Sequence, residues 1–195
     1  MTERLDSAIA GIDAANAADP NSAAGPDGIP GPKELVHSRV ATDWIHRLTD
    51  EPSEAQLIAA RAHHLRRWEV PRTTYPEGRA GYLKWRRDRK IAHAEQVGSI
   101  MAGVGYGEDL VDRVGQIVRK EGLGSDVEVQ HHEDALCLTF LQLQSTEVVA
   151  ELGHERAVPI LAKTWSKMSE AGHSFAGELD LDPLVSSALQ AALAT

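Results

Sequence analysis

Apolar residues recur along most of this chain at the three- and four-residue spacing of a helix face rather than in alternation. Leu5, Ala8, Ile9 and Ile12 predict a helix over 4–18, stopped by Asp19-Pro20-Asn21, and a Gly/Pro-rich loop then runs from 19 to 32. Leu35, Val36, Val40, Trp44, Ile45 and Leu48 predict a second helix from Lys33 to Leu48. A third starts near Ser53, where Gln56 stands at the capping-box distance, and carries Leu57, Ile58, Ala60 and Ala62 into His63-His64. Pro71 and Pro76 enforce a basic loop over 67–79. Further helices are predicted from Ala80 to Ala102, Glu108 to Lys120, Glu133 to Leu152 and Glu155 to Ala171, the last starting late because of Pro159. The segment 174–195 reads as a tail with one short helix, Pro183 to Ala192. No run alternates in strand fashion and no internal repeat is present. The expectation is an all-α single domain over 1–195, a bundle of about seven helices.

Composition narrows the class. A chain of 195 residues with 42% hydrophobic residues can bury about 70% of its unfolded surface without disulfides or a structural metal. Cys137 is the only cysteine, so a disulfide framework is excluded and a reducing compartment is expected. No apolar stretch approaches a membrane span, and Thr2-Glu3-Arg4 begins no signal pattern, so a soluble cytoplasmic protein is expected.

Charge changes the picture more. The net charge of −9 argues against wrapping a nucleic acid duplex. Residues 61–90, however, hold ten of the twenty Lys and Arg residues against only Glu69, Glu77 and Asp88. A local excess of cations on an acidic chain predicts a small anionic partner. Arg66, Arg67, Arg72 and Arg79 lie in or beside the proline-stiffened loop, where guanidinium forks suit phosphate or carboxylate oxygens, and Tyr75 and Lys84 lie with them. Arg86, Arg87, Arg89 and Lys90 fit a solvated helix face equally well.

Three further groups carry candidate chemistry: His63-His64 at the end of an apolar helix, His93-Ala94-Glu95 on the long helix, and His131-His132-Glu133-Asp134 before an apolar run. Imidazole and carboxylate are ligands for divalent metals, and helical bundles gather them from separate helices. His64, His93 and Asp134 are the predicted ligands, with His63 and His37 as further candidates and His93 or Glu95 as the base. His131 and His132 read more simply as loop residues.

The order His, His, Asp on successive helices resembles the HD-domain superfamily of metal-dependent phosphohydrolases. His93-Ala94-Glu95-Gln96-Val97-Gly98-Ser99-Ile100-Met101 looks like its third-helix segment, Glu133-Asp134-Ala135-Leu136 like its closing helix, and His37-Ser38-Arg39-Val40 loosely like its first. The pattern departs at His64, which Leu65 follows, so the defining His-Asp pair is absent. The resemblance implies an HD-like bundle, a divalent metal (Mn, Fe or Zn) and hydrolysis of a small phosphorylated or otherwise anionic metabolite. Two alternatives stay open: a metal-free module binding an anionic ligand or nucleic acid, and a His/carboxylate metal oxygenase. Over nearly its whole length the chain is also similar to a family known only as domain of unknown function 4202. The matching stretches include Asp13 through Asn21, Pro32-Lys33-Glu34-Leu35, His64 through Arg72, Tyr75-Pro76, Arg79 through Arg86, Arg119 through Leu123, and Glu133 through Leu138. That resemblance implies no activity.

Overall fold

The first three helices form where the apolar spacing places them, and local side-chain caps open the first and third. In the computed structural model, which describes residues 2–194, α1 spans Glu3–Asn16 and the Thr2 hydroxyl caps it by accepting from the Leu5 amide. Asp19 then ties the chain back. One of its oxygens accepts from the backbone and side chain of Asn21, and the other from the backbone amide of Glu34. The loop between holds a small antiparallel ribbon, β1 (Ser22–Ala24) with β2 (Pro30–Pro32), which the alternation pattern did not reveal in strands this short. The second helix, α2, covers Lys33–Leu48. Both halves of the predicted capping box open α3 (Glu54–Ala62): the Ser53 hydroxyl accepts from the Gln56 amide and the Gln56 side chain accepts from the Ser53 amide.

Ala55, Leu57, Ile58, Ala59, Ala60 and Ala62 of α3 are all buried. Small side chains around the helix let α1, α2, α5 (Glu108–Arg119) and α6 (Val127–Leu143) all pack against it, so α3 is the axis of the core. After α3 the chain turns through His63 and His64. Arg66 is left-handed, at φ 51°, and its amide donates to Asn16. Two short 3-10 turns, Arg67–Glu69 and Arg72–Thr74, lead to α4 (Gly78–Gly103), about 39 Å long at helical rise. The start of α4 lies so close to the loop that a Cβ on Gly81 would stand 1.9 Å from the Pro76 carbonyl oxygen.

The C-terminal half departs from expectation in three ways. Asp126 caps the amides of Glu128 and Val129, so α6 starts at Val127 rather than at Glu133, and His131 and His132 lie inside the helix. The predicted 133–152 helix breaks at Gln144, which leaves α7 (Ser145–Leu152) separate. The predicted 155–171 helix divides into α8 (His154–Trp165), with Pro159 inside it, and α9 (Glu170–Gly177), capped by Ser169. The short helix expected over Pro183 to Ala192 forms as α10 (Pro183–Leu193), and it joins the core: Val185 and Ala188 are fully buried and the helix packs on α7 and α8. The described residues thus form ten α-helices around one continuous hydrophobic cluster, instead of about seven. None of these helices is long and apolar enough to cross a membrane.

Candidate functional site: a cation-lined cavity

Three helices turn one stripe each toward a shared cavity of about 640 Å³. From α4 come Tyr82, Trp85, Arg86, Arg89, Lys90 and His93, a run spaced by three and four residues and therefore one helix face. From α6 come His132, Glu133, Leu136, Cys137 and Phe140, and from α8 Pro159, Ile160, Lys163 and Thr164, with Lys167 just beyond. The turn after α3 adds His63, His64 and Arg67, and Lys120 closes the end of α5. Seven Lys and Arg residues line this space against a single carboxylate, Glu133.

That carboxylate is committed to neighbouring cations. Glu133 pairs with Lys120 and, at 3.3 Å, with Lys167. Burial opposes its ionisation, but Lys120 and then Lys167 overcome that cost and hold it at about 2. Lys90 feels the opposite field: burial, then Lys120 and Arg86, bring its ammonium down to about 8. The positive charge is therefore dense enough to perturb its own members, as expected of a site that receives an anion.

The histidines are held neutral. His63 donates from Nδ1 to the Ala60 carbonyl oxygen, and His93 donates from Nδ1 to that of Leu65, which leaves the Nε2 lone pair of each available. Burial depresses His93 to about 4 and His132 to about 3. His64 Nδ1 lies 3.2 Å from the Glu34 carboxylate and its Nε2 contacts Arg67 Nη1. Arg67 Nη1 also lies 3.3 Å from Nδ1, so the guanidinium covers the ring beside both nitrogens, and it is the Glu34 carboxylate, an acceptor, that assigns the proton to Nδ1. Burial, then Arg67 and His93, keep this imidazole well below the usual histidine range. Arg67 itself rests on the Trp85 ring, 4.8 Å from its centroid, and the indole donates to the Val70 carbonyl oxygen. At the deep end His132 is fully buried with neither ring nitrogen hydrogen-bonded, the kind of orphaned polar group that asks for a partner.

Of the residues predicted from sequence, His63, His64, His93 and Arg67 meet here. The others serve elsewhere. Arg72 donates to the carbonyl oxygens of Tyr75, Pro76 and Gly78 and so braces its loop. Asp88 accepts from Tyr75 and Lys84, which fixes the loop to α4. Arg66 faces solvent beside Glu69, and Arg79 and Glu95 are exposed. His37 is buried next to Glu34, outside the cavity lining. Asp134 is fully buried and accepts from the Ser169 amide at 2.9 Å, the Ser169 hydroxyl at 2.6 Å and Gln130 Nε2 at 3.0 Å. Its carboxylate anchors the cap of α9 and is absent from the cavity lining.

This arrangement does not fit the predicted metal. Among the described residues no three His, Cys, Asp or Glu side chains gather as a metal-binding set. The one acid of the predicted set, Asp134, is occupied by its three donors, and His64 already has an acceptor on one nitrogen and a donor on the other.

Several site residues escaped the sequence reading. Arg86, Arg89 and Lys90 fit a solvated face, yet their spacing with Tyr82, Trp85 and His93 was the available signal. Lys120, Lys163 and Lys167 are scattered singly, Glu34 carries no local mark as a site residue, and His132, though within a group of candidate chemistry, reads as a loop residue. No curated protein and no solved structure matches the chain. The model of the family described as "Domain of unknown function (DUF4202)" matches residues 6–189, and the chain belongs to that family.

Proposed function

We propose that this protein binds a small phosphorylated metabolite in the cavity between α4, α6 and α8, using lysine and arginine side chains rather than a metal ion. The observation that carries the reading is the convergence of seven cations on one cavity with one internally paired carboxylate. A monoanion would leave most of that charge uncompensated, so a ligand with at least two negative charges, such as a phosphate ester or anhydride, suits it best. Its non-anionic part has surfaces to meet in Leu136, Phe140 and Ile160, and a polar group that reaches His132 would satisfy that orphaned ring. The HD-like metal hydrolase and the metal oxygenase expected from sequence draw no support from the donor arrangement.

The test is a thermal-shift panel on protein treated with chelator, pairing phosphorylated compounds with their unphosphorylated counterparts. Stabilisation by phosphorylated members alone, undiminished by chelator and reduced in Arg86→Glu and Lys163→Glu, is the expected result. Equal response to both members of each pair, or loss of response on chelation, overturns the reading.

A further inference from the structure

We infer that His64 is a nucleophile for metal-free phosphoryl transfer, oriented by Glu34 and masked by Arg67 until an anion arrives; this rests on the phosphorylated-ligand reading above. The first observation is the chain of contacts Glu34–His64–Arg67. Glu34 fixes which nitrogen carries the proton and which way the ring faces, as the acidic partner of a catalytic histidine does. Glu34 is itself fixed, buried in the first turn of α2 with its amide held by Asp19. The second is that the guanidinium lying against this ring, in contact with both of its nitrogens, is the one in the cavity that stacks on Trp85. A guanidinium donating to a neutral imidazole is a weak use of its charge. A phosphoryl oxygen is a far stronger acceptor, so an entering anion draws Arg67 away from Nε2 and uncovers the lone pair beside phosphorus.

The cavity also restricts the leaving group. The Nδ1 protons of His63, His64 and His93 are committed to Ala60, Glu34 and Leu65, and Glu133 is an ion-paired carboxylate. Among the lining groups the lysines, Lys90 foremost, are then the remaining proton donors, and a leaving group that departs without a proton needs none of them; an acyl phosphate or phosphoric anhydride is the substrate class that fits. In the step, the Nε2 lone pair forms the N–P bond while the bridging P–O bond breaks, its electron pair leaving on a carboxylate or phosphate. The Nδ1 proton passes to Glu34. Water then attacks phosphorus, the P–N bond breaks with its pair returning to Nε2, and Glu34 gives its proton back to Nδ1. The products are hydrogen phosphate, the leaving anion and one proton released to solvent. The surrounding cations offset the charge that accumulates on the phosphoryl oxygens.

The experiment exposes the full chain, treated with chelator, to acetyl phosphate carrying radioactive phosphorus, then locates the label by peptide mass spectrometry. The expected result is an alkali-stable, acid-labile label on His64. Glu34→Gln should slow labelling by about tenfold or more while inorganic pyrophosphate binding is retained or strengthened, since Glu34 orients the ring and its charge opposes an anion at Arg67. His64→Gln, checked for folding by circular dichroism, should bind pyrophosphate and take no label. Pyrophosphate binding without label, or with label on another residue, overturns the nucleophile and leaves the binding site standing. Absence of pyrophosphate binding overturns both.

Discussion

Replacement of Asp134 by alanine should cost stability and leave anion binding in place. The carboxylate is fully buried and accepts three hydrogen bonds, from the Ser169 amide and hydroxyl and from Gln130 Nε2. A hydrogen bond to a charged group contributes about 1.5–3 kcal/mol, but the three do not sum. Gln130 also donates to the Lys167 carbonyl oxygen and keeps that partner, and the Ser169 hydroxyl still accepts from Gly172. The full loss falls on the Ser169 amide, together with the loosening of the α9 cap, so the net cost is about 3–5 kcal/mol. Against a total stability of about 5–15 kcal/mol this is severe. In urea, with a slope near 2 kcal/mol per molar, the midpoint should fall by about 2 M. A second variant probes the same contact from the other side. A Cβ on Gly172 would stand 2.9 Å from the Asp134 carboxyl, so Gly172→Ala should also destabilise, by about 1–3 kcal/mol. Because both act through one contact, the double variant should cost clearly less than the sum of the two. A change under about 1 kcal/mol for Asp134→Ala, or full additivity in the double variant, would refute the anchoring role.

The remaining predictions concern charge and packing. His93 and His132 are depressed to about 4 and about 3 from an ordinary 6.5, so their stability contribution is fully present above 6.5 and is lost as pH falls below it. Each should remove about 2 kcal/mol by about pH 5, which denaturant midpoints across that range would show; a flat profile contradicts it. Glu133→Gln removes the one carboxylate of the cavity, and calorimetry should find pyrophosphate affinity raised several-fold, about 1 kcal/mol, alongside reduced stability. Gly81→Ala forces a Cβ into the Pro76 carbonyl oxygen, so the loop before α4 should become more susceptible to limited proteolysis.

Much of the fold was written locally. The capping box at Ser53, the apolar faces of α1 and α2 and the stop at Asp19-Pro20-Asn21 depend on neighbours within a few residues, which is why they were readable. The C-terminal half was harder because its boundaries are set at a distance. Asp134 lies 35 residues from Ser169, and no local pattern says that an aspartate on one helix will hold the cap of another. The same acid, read by its resemblance to a metal ligand, accepts three hydrogen bonds from Gln130 and Ser169 and stands outside the cavity lining. His132 was mistaken for a loop residue because Asp126 starts its helix earlier than the apolar run suggested. The cavity was half legible. The charge excess over 61–90 pointed to an anion, but the loop arginines Arg66, Arg72 and Arg79 drew attention that belonged to the Arg86, Arg89 and Lys90 stripe. Lys120, Lys163 and Lys167 enter the site only through the packing of α5, α6 and α8, which a linear charge count does not register.

The central claim, an anion site built from side-chain cations, is tested most directly by isothermal titration of inorganic pyrophosphate into protein treated with chelator. Wild type should bind at a single site, with affinity that weakens as salt is raised, and Lys163→Glu combined with Arg86→Glu should abolish the signal. Binding that requires an added metal ion, or that survives both charge reversals, would contradict the account.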